Sequence, residues 1–194
     1  MAKEYAELGF VDGTASGLDN LADLLARLVG GAILLEAKGT KFSTPSDTHL
    51  IAERTFDAPR ELIWDCWTKP EHITRWMLGP GGWTMPVCEV DLRVGGTWRF
   101  VWRNTEGTDM EMTGVYKEIQ PYERLVNTEN WGADWPETLQ ILELHDDNGR
   151  TRTISTVVYP SKEARDRATE TGMLEGWAQS YVTLDGHLAD DKTG

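Results

Sequence analysis

The chain is short of cysteine, of positive charge and of long apolar runs, and each shortage closes a class of function. Its 194 residues hold two cysteines, Cys66 and Cys88, far apart and without a CxxC spacing. That is no disulfide framework, and two buried thiols in a reducing, cytoplasmic setting are the expectation. Lys and Arg number 19 against 32 Asp and Glu, a formal charge of -13. Both a nucleic-acid backbone and an anionic membrane would repel such a chain at long range, so neither is expected as a partner. No stretch reaches the 18 or more consecutive apolar residues of a membrane span, and the start lacks the basic and apolar regions of a secretory signal.

Catalytic signatures are equally scarce. His49, His72, His145 and His187 show no HxxxH or HExxH spacing, so neither a metal site nor another cofactor is expected. Ser180 is not in a GxSxG elbow, and Gly79-Pro80-Gly81-Gly82 precedes a strand pattern where a phosphate loop would open a helix. Asp146-Asp147-Asn148-Gly149 lacks the remaining ligands of a calcium loop and reads as a solvated hairpin turn.

What the chain has in quantity is tryptophan: nine residues, large rings that must be buried in a core or line a binding cavity. The period of the apolar residues says where. From Trp83 onward it is two, giving strands over 87–94, 97–103, 110–119, 124–131, 138–145 and 150–159, with Gly95-Gly96, Glu106-Gly107 and Asn148-Gly149 as hairpin-type turns. Residues 49–56 add a seventh strand. Asp57 and Pro59 then open a helix carrying Leu62, Ile63, Cys66 and Trp67 on one face, Pro70 ends it, and 71–77 forms a second short helix. Near the end, 161–170 is a polar helical stretch, and 172–188 carries Met173, Trp177, Tyr181, Leu184 and Leu188 on one stripe. Gly172, Gly176 and Gly186 each cost that helix roughly 1 kcal/mol relative to Ala, which points to a close approach of backbone or ligand.

The first 47 residues form an extension. Leu18, Leu21, Leu24, Leu25, Leu28 and Val29 recur at helical spacing, with Ser16 or Asp19 as N-cap and Gly30 as stop. Ala32 to Leu35 reads as a strand or a packed continuation, and 40–47 as a polar linker. A helix simply packed on the domain, a lid, and a contact in a homodimer are the alternatives for this segment.

Three motifs in fixed order carry a resemblance: Glu53-Arg54-Thr55-Phe56-Asp57-Ala58-Pro59-Arg60-Glu61-Leu62-Ile63-Trp64, then Trp76-Met77-Leu78-Gly79-Pro80-Gly81-Gly82, then Val90-Asp91-Leu92-Arg93-Val94-Gly95-Gly96-Thr97-Trp98-Arg99-Phe100. Gly114 to Val126 and Gly176-Trp177 continue it. The pattern resembles the START-like (SRPBCC, Bet v 1-like) superfamily, in its branch of activator-of-heat-shock-protein-90-ATPase-like proteins, over about 48 to 190. The resemblance implies an α+β helix-grip fold, a curved antiparallel sheet of six to seven strands around a long C-terminal helix, with two short helices after the first strand. Because members range from ligand carriers and resistance proteins to cyclases and chaperone activators, function does not follow from fold.

Strand alternation nominates the site. Trp98, Phe100 and Trp102 share one face of their strand, as do Met110, Met112, Gly114 and Tyr116 of the next. Facing the stripe of Met173, Trp177 and Tyr181, and joined by Trp76 and Trp131, they make an aromatic and Met-lined wall against either a filled core or a ligand. An empty apolar space of about 300 Å³ would cost about 7 kcal/mol, comparable to the whole stability of a domain, so any cavity of that size is wet, collapsible or occupied. Asn127, Glu129 and Glu143 are candidate inward polar groups, and Arg54 a candidate partner for an inward carboxylate. Asp91 and Arg93 read as a strand-end ion pair.

The primary functional expectation is enclosure of a small apolar or aromatic molecule by a carrier, sensor or sequestering protein. A cyclase, aromatase or hydrolase is the alternative, with Glu129, Glu143, Tyr116 or Tyr181 as proton-transfer groups. A chaperone activator is the third reading, and it rests on the resemblance alone.

Overall fold

The structure, a computed structural model, describes residues 33–78 and 81–191. The amphipathic segment at 18–29 and the Gly79-Pro80 turn lie outside them. Nine antiparallel strands form one sheet in the order β1-β2-β3-β9-β8-β7-β6-β5-β4. The strands are β1 (Ile33–Ala37), β2 (Thr40–Ser43), β3 (His49–Phe56), β4 (Thr84–Val90), β5 (Thr97–Arg103), β6 (Asp109–Gln120), β7 (Arg124–Glu129), β8 (Thr138–Asp147) and β9 (Arg150–Val158). Four helices complete the described fold: α1 (Arg60–Thr68), α2 (Pro70–Trp76), α3 (Lys162–Thr169) and α4 (Met173–Asp191).

The strand count exceeds the six to seven expected because the sheet continues into the N-terminal segment. Residues 40–47 read as a linker, yet Thr40–Ser43 is a strand whose Phe42 is fully buried opposite Ala52. A four-residue strand with a single large apolar residue is too short for periodicity to reveal. Where the pattern was longer it held. Asn148 and Gly149 have φ of 56° and 85°, the pair of left-handed residues that a two-residue type I′ hairpin between β8 and β9 demands.

One face of the sheet packs against the helices. Phe56, Trp98, Phe100, Tyr116, Leu125 and Leu142 from the strands meet Ile63 and Cys66 of α1, Trp76 of α2, and Tyr181, Leu184 and Leu188 of α4 in the main core. A second cluster places Phe42, Leu50, Ala52, Val157 and Tyr159 against Leu174 and Ala178 of the first half of α4, and Trp177 borders both clusters. Val126, Leu139, Ile141 and Val158 form a separate cluster on the opposite face, as the alternation of strand side chains requires.

Local chemistry sets the helix ends. Pro70 stands in the first turn of α2, where its missing N–H costs nothing, and Ser161 caps α3 by accepting from the Ala164 N–H. The expectation of a close backbone approach at the glycines of α4 is not met among the described residues: a Cβ added at Gly176 or Gly186 would meet none of them within 4 Å, and Gly172, with φ of +80°, forms the turn before the helix and is not part of it.

Candidate functional site

The site is built in rows that cross the sheet. Trp98 of β5 pairs with Gly114 of β6. Tyr116 lies opposite Asn127 and Thr113 opposite Asn130, so the intervening Gly114 falls opposite Glu129 of β7. Glu129 pairs in turn with Thr138 of β8. Directly opposed residues share a face, so Trp98, Gly114, Glu129 and Thr138 form one row on the helix-facing side. The adjacent row runs Tyr116, Asn127, Gln140, Val157. Tyr116 and Val157 belong to the clusters packed on the helices, which fixes the face of both rows.

Gly114 is what lets the first row close up. A Cβ there would lie 1.9 Å from the Thr128 carbonyl oxygen and 2.5 Å from Cζ2 of Trp98. The indole therefore lies flat across the glycine, beside Phe100 with ring centroids 4.8 Å apart. Aromatic packing continues outward: Phe100 meets Trp102 edge-on at 6.1 Å, and Trp102 stacks on Trp131 at 5.7 Å and 13°. Across from this wall, Tyr181 contacts Phe56, Trp67, Trp76 and Trp177 with centroids 5.3 to 6.1 Å apart.

The polar groups of these rows are unusual for a core. The Trp98 indole N–H, Thr138 Oγ1 and Gln140 Oε1 are buried without a hydrogen-bond partner among the described residues. Such atoms are rare in folded proteins, and leaving one unmade costs about 1–3 kcal/mol. Beside them, burial pushes the Glu129 carboxyl above the usual carboxylate range, opposed by the hydrogen bond that the Trp131 indole N–H donates to it. Tyr159, at the end of the same region, has its phenol raised by burial and by the charge of Glu129, and its hydroxyl donates to Met173 Sδ at 3.7 Å. Tyr116 is raised chiefly by burial. Tyr181, pushed up to about 12 by burial, shares a hydrogen bond with Ser155 Oγ at 3.0 Å.

Of the residues nominated from sequence, the structure brings Trp76, Trp98, Phe100, Trp102, Met112, Tyr116, Trp177 and Tyr181 into one cluster. Trp131 and Met110 stand at its rim, each 37% exposed, Trp131 against Trp102 and Met110 opposite Trp102 in the β5–β6 pair. Met173 borders the second cluster. Glu143 is corrected: it sits on the opposite face, where the nearly buried Arg124 donates to it at 2.9 Å. Arg124 Nε also lies 3.3 Å from Glu118 Oε1, within ion-pair reach though outside hydrogen-bond geometry. Arg54 faces α4 and pairs with Asp185 there, while donating to Thr40 Oγ1 at 3.0 Å.

Two features escaped the sequence reading. Thr138 and Gln140 gave no signal, because short polar residues in a strand are ordinary. The second is a cluster at the other end of the core: the ligand atoms of Cys66, His72 and His187 all lie within 4.8 Å of one another. These residues come from α1, α2 and α4, so no linear spacing could have joined them.

A nine-stranded antiparallel sheet that grips a C-terminal helix, with a helix pair after β3, defines the helix-grip class of α+β proteins. Within it the chain belongs to the family described as Activator of Hsp90 ATPase homolog 1-like protein, whose pattern matches residues 57–189. A solved structure of a Rhodobacter sphaeroides protein is 32% identical, with a TM-score of 0.72 over 78% of this chain and 98% of that one. A Nitrosomonas europaea protein is 27% identical, with a TM-score of 0.69 over 77% and 99%. A Mycobacterium smegmatis protein, 21% identical with a TM-score of 0.66 over 73% and 91%, shares the fold. No curated protein matches this chain.

Proposed function

We propose that this protein binds a small molecule with a flat apolar body and at least one polar group, between the inner face of β5–β8 and α4, as a carrier, sensor or sequestering protein. One observation supports the reading above others: three buried polar atoms that have no partner among the described residues, on Trp98, Thr138 and Gln140, belong to the two adjacent rows that also contain Glu129. A filled core with no ligand has no use for three unmade hydrogen bonds, whereas a ligand with a carbonyl or hydroxyl satisfies them. The aromatic wall supplies the area. Trp98 Nε1 donates to a ligand acceptor, and Gln140 Oε1 accepts from a donor.

Isothermal titration of a panel of bicyclic and tricyclic aromatic carbonyl and phenolic compounds tests this. Removing one neutral hydrogen bond of about 0.5–1.5 kcal/mol weakens binding about 2- to 13-fold. Trp98→Phe, which keeps a flat ring and deletes the N–H, weakens carbonyl ligands by that factor. Unchanged affinity in the folded variant contradicts the reading.

A second reading uses the same place for turnover. Glu129, whose carboxyl burial pushes upward, is the inward carboxyl placed to exchange a proton with a bound substrate. It requires an activity that Glu129→Gln abolishes while ligand affinity persists. The chaperone role in the family's description would take precedence if a chaperone ATPase were stimulated by this chain and the stimulation survived Trp98→Phe.

A further inference from the structure

We propose that Cys66, His72 and His187 form a zinc site that clasps α4 to the α1–α2 pair. The three side chains offer one thiol sulfur and two ring nitrogens, all within 4.8 Å of one another. His72 Nδ1 and His187 Nε2 are 2.9 Å apart and share a hydrogen bond. Their rings tilt at 59° with centroids 5.2 Å apart, so the two nitrogens face one another and a modest swivel of each ring turns both toward the Cys66 sulfur.

The donor set fits zinc. One thiolate and two imidazoles match the borderline-soft preference of Zn(II), and carboxylate-seeking Mg(II) and Ca(II) are excluded by the absence of an oxygen among the three. With bond lengths of about 2.0–2.1 Å to nitrogen and 2.3 Å to sulfur, a tetrahedral ion needs N···N of about 3.3 Å and N···S of about 3.6 Å. The imidazoles therefore part by about half an ångström and the thiol closes by at most about one, changes that side-chain torsions supply. Cys66 is fully buried, while His72 and His187 are half-buried. The fourth position thus lies on the histidine side, where water reaches it.

Proton accounting is simple. The Cys66 thiol loses its proton to solvent on binding. With both imidazoles in the neutral form that binds metal, the proton bridging Nδ1 of His72 and Nε2 of His187 moves to the outward nitrogen of the ring that carried it. One proton leaves per zinc bound.

The position gives the site a mechanical role. Trp76 Nε1 donates to the Cys66 carbonyl oxygen at 2.9 Å, and Trp76 lies 4.8 Å from Trp67 and 6.1 Å from Tyr181. Zinc would fix the second half of α4 against these rings, next to the aromatic cluster and independent of whether that cluster takes a ligand.

The test uses untagged full-length protein dialysed against chelator, titrated with Zn(II) and then with Co(II). The expected result is one zinc per chain with Kd at or below the micromolar range. Co(II) gives intense tetrahedral d–d bands with a thiolate-to-cobalt charge-transfer band. Free zinc at a hundred times Kd raises Tm by about 5–10 °C. Cys66→Ser loses the charge-transfer band and weakens binding at least 100-fold. His187→Gln, at a half-buried position that tolerates change, weakens it similarly, and Cys88→Ser leaves it intact. Binding below one equivalent, octahedral cobalt spectra, or affinity unchanged in both Cys66→Ser and His187→Gln overturns the proposal.

Discussion

Replacing Gly114 by Ala puts the heaviest demand on the site. The new Cβ would stand 1.9 Å from the Thr128 carbonyl oxygen and 2.5 and 2.6 Å from Cζ2 and Cε2 of Trp98. No rotamer removes the first clash, because its partner is backbone within the β6–β7 pair, and relief of the second requires Trp98, 4% exposed, to leave its place beside Phe100. Overpacking of a core ordinarily costs about 1–3 kcal/mol. A clash with main chain that also displaces a buried indole belongs at the top of that range, about 3 kcal/mol. For a domain of this size that is a fall in Tm of about 6–12 °C. Urea unfolding followed by far-ultraviolet circular dichroism measures the loss, and near-ultraviolet dichroism reports the displaced indole. A folded Gly114→Ala variant within about 0.5 kcal/mol of the parent, with its near-ultraviolet spectrum unchanged, would refute the flat packing of Trp98 on Gly114 and with it the geometry of the row.

The contrasting glycines lie in α4: Gly176→Ala and Gly186→Ala, whose new methyl groups would meet none of the described residues, each stabilise by about 0.5–1 kcal/mol through helix propensity, read as a higher urea midpoint. Glu129 has a folded-state pKa above its unfolded value, so its protonated form favours the fold. That stability is complete below the unfolded pKa and is lost as pH rises through the folded one, and Glu129→Gln flattens this slope in urea titrations across pH. His145 behaves in the opposite sense: burial lowers its pKa, so its contribution is present above the unfolded value near 6.5 and disappears as pH falls through the folded one, a loss that His145→Gln removes. Cys88, its thiol pushed up to about 11 by burial, reacts with iodoacetamide at pH 8 far more slowly than a free thiol, as mass spectrometry of timed alkylation shows.

Much of this architecture was legible because its signals were local. The alternation of Trp98, Phe100 and Trp102 and of Met112, Gly114 and Tyr116 is enough to group the side chains that meet the helices, since strand parity alone decides which side chains share a face. Parity failed at β8, where both faces are apolar: Leu139 and Ile141 point one way, Leu142 and Leu144 the other. Glu143 was in phase with the first pair, and nothing in the sequence says that the first pair faces away from α4. Glu129 was ambiguous for the same reason until the register with Gly114 fixed its side. β2 was missed for want of length, and the glycines of α4 misled because their cost was taken as evidence of a close neighbour. Cys66, His72 and His187 lay beyond any local test, since their proximity is created by the docking of α4 on α1 and α2.

The binding account stands or falls on the Trp98 indole N–H. In a proton–nitrogen correlation spectrum its resonance is assigned by its disappearance in Trp98→Phe, and the aromatic carbonyl panel is then added to the parent protein. The account predicts that compounds which bind move this resonance downfield as the buried N–H acquires an acceptor, while the indole of Trp135, packed beneath Arg167 at 4.3 Å, stays in place. Compounds that bind and leave Trp98 unmoved, or a panel in which nothing binds, would contradict it.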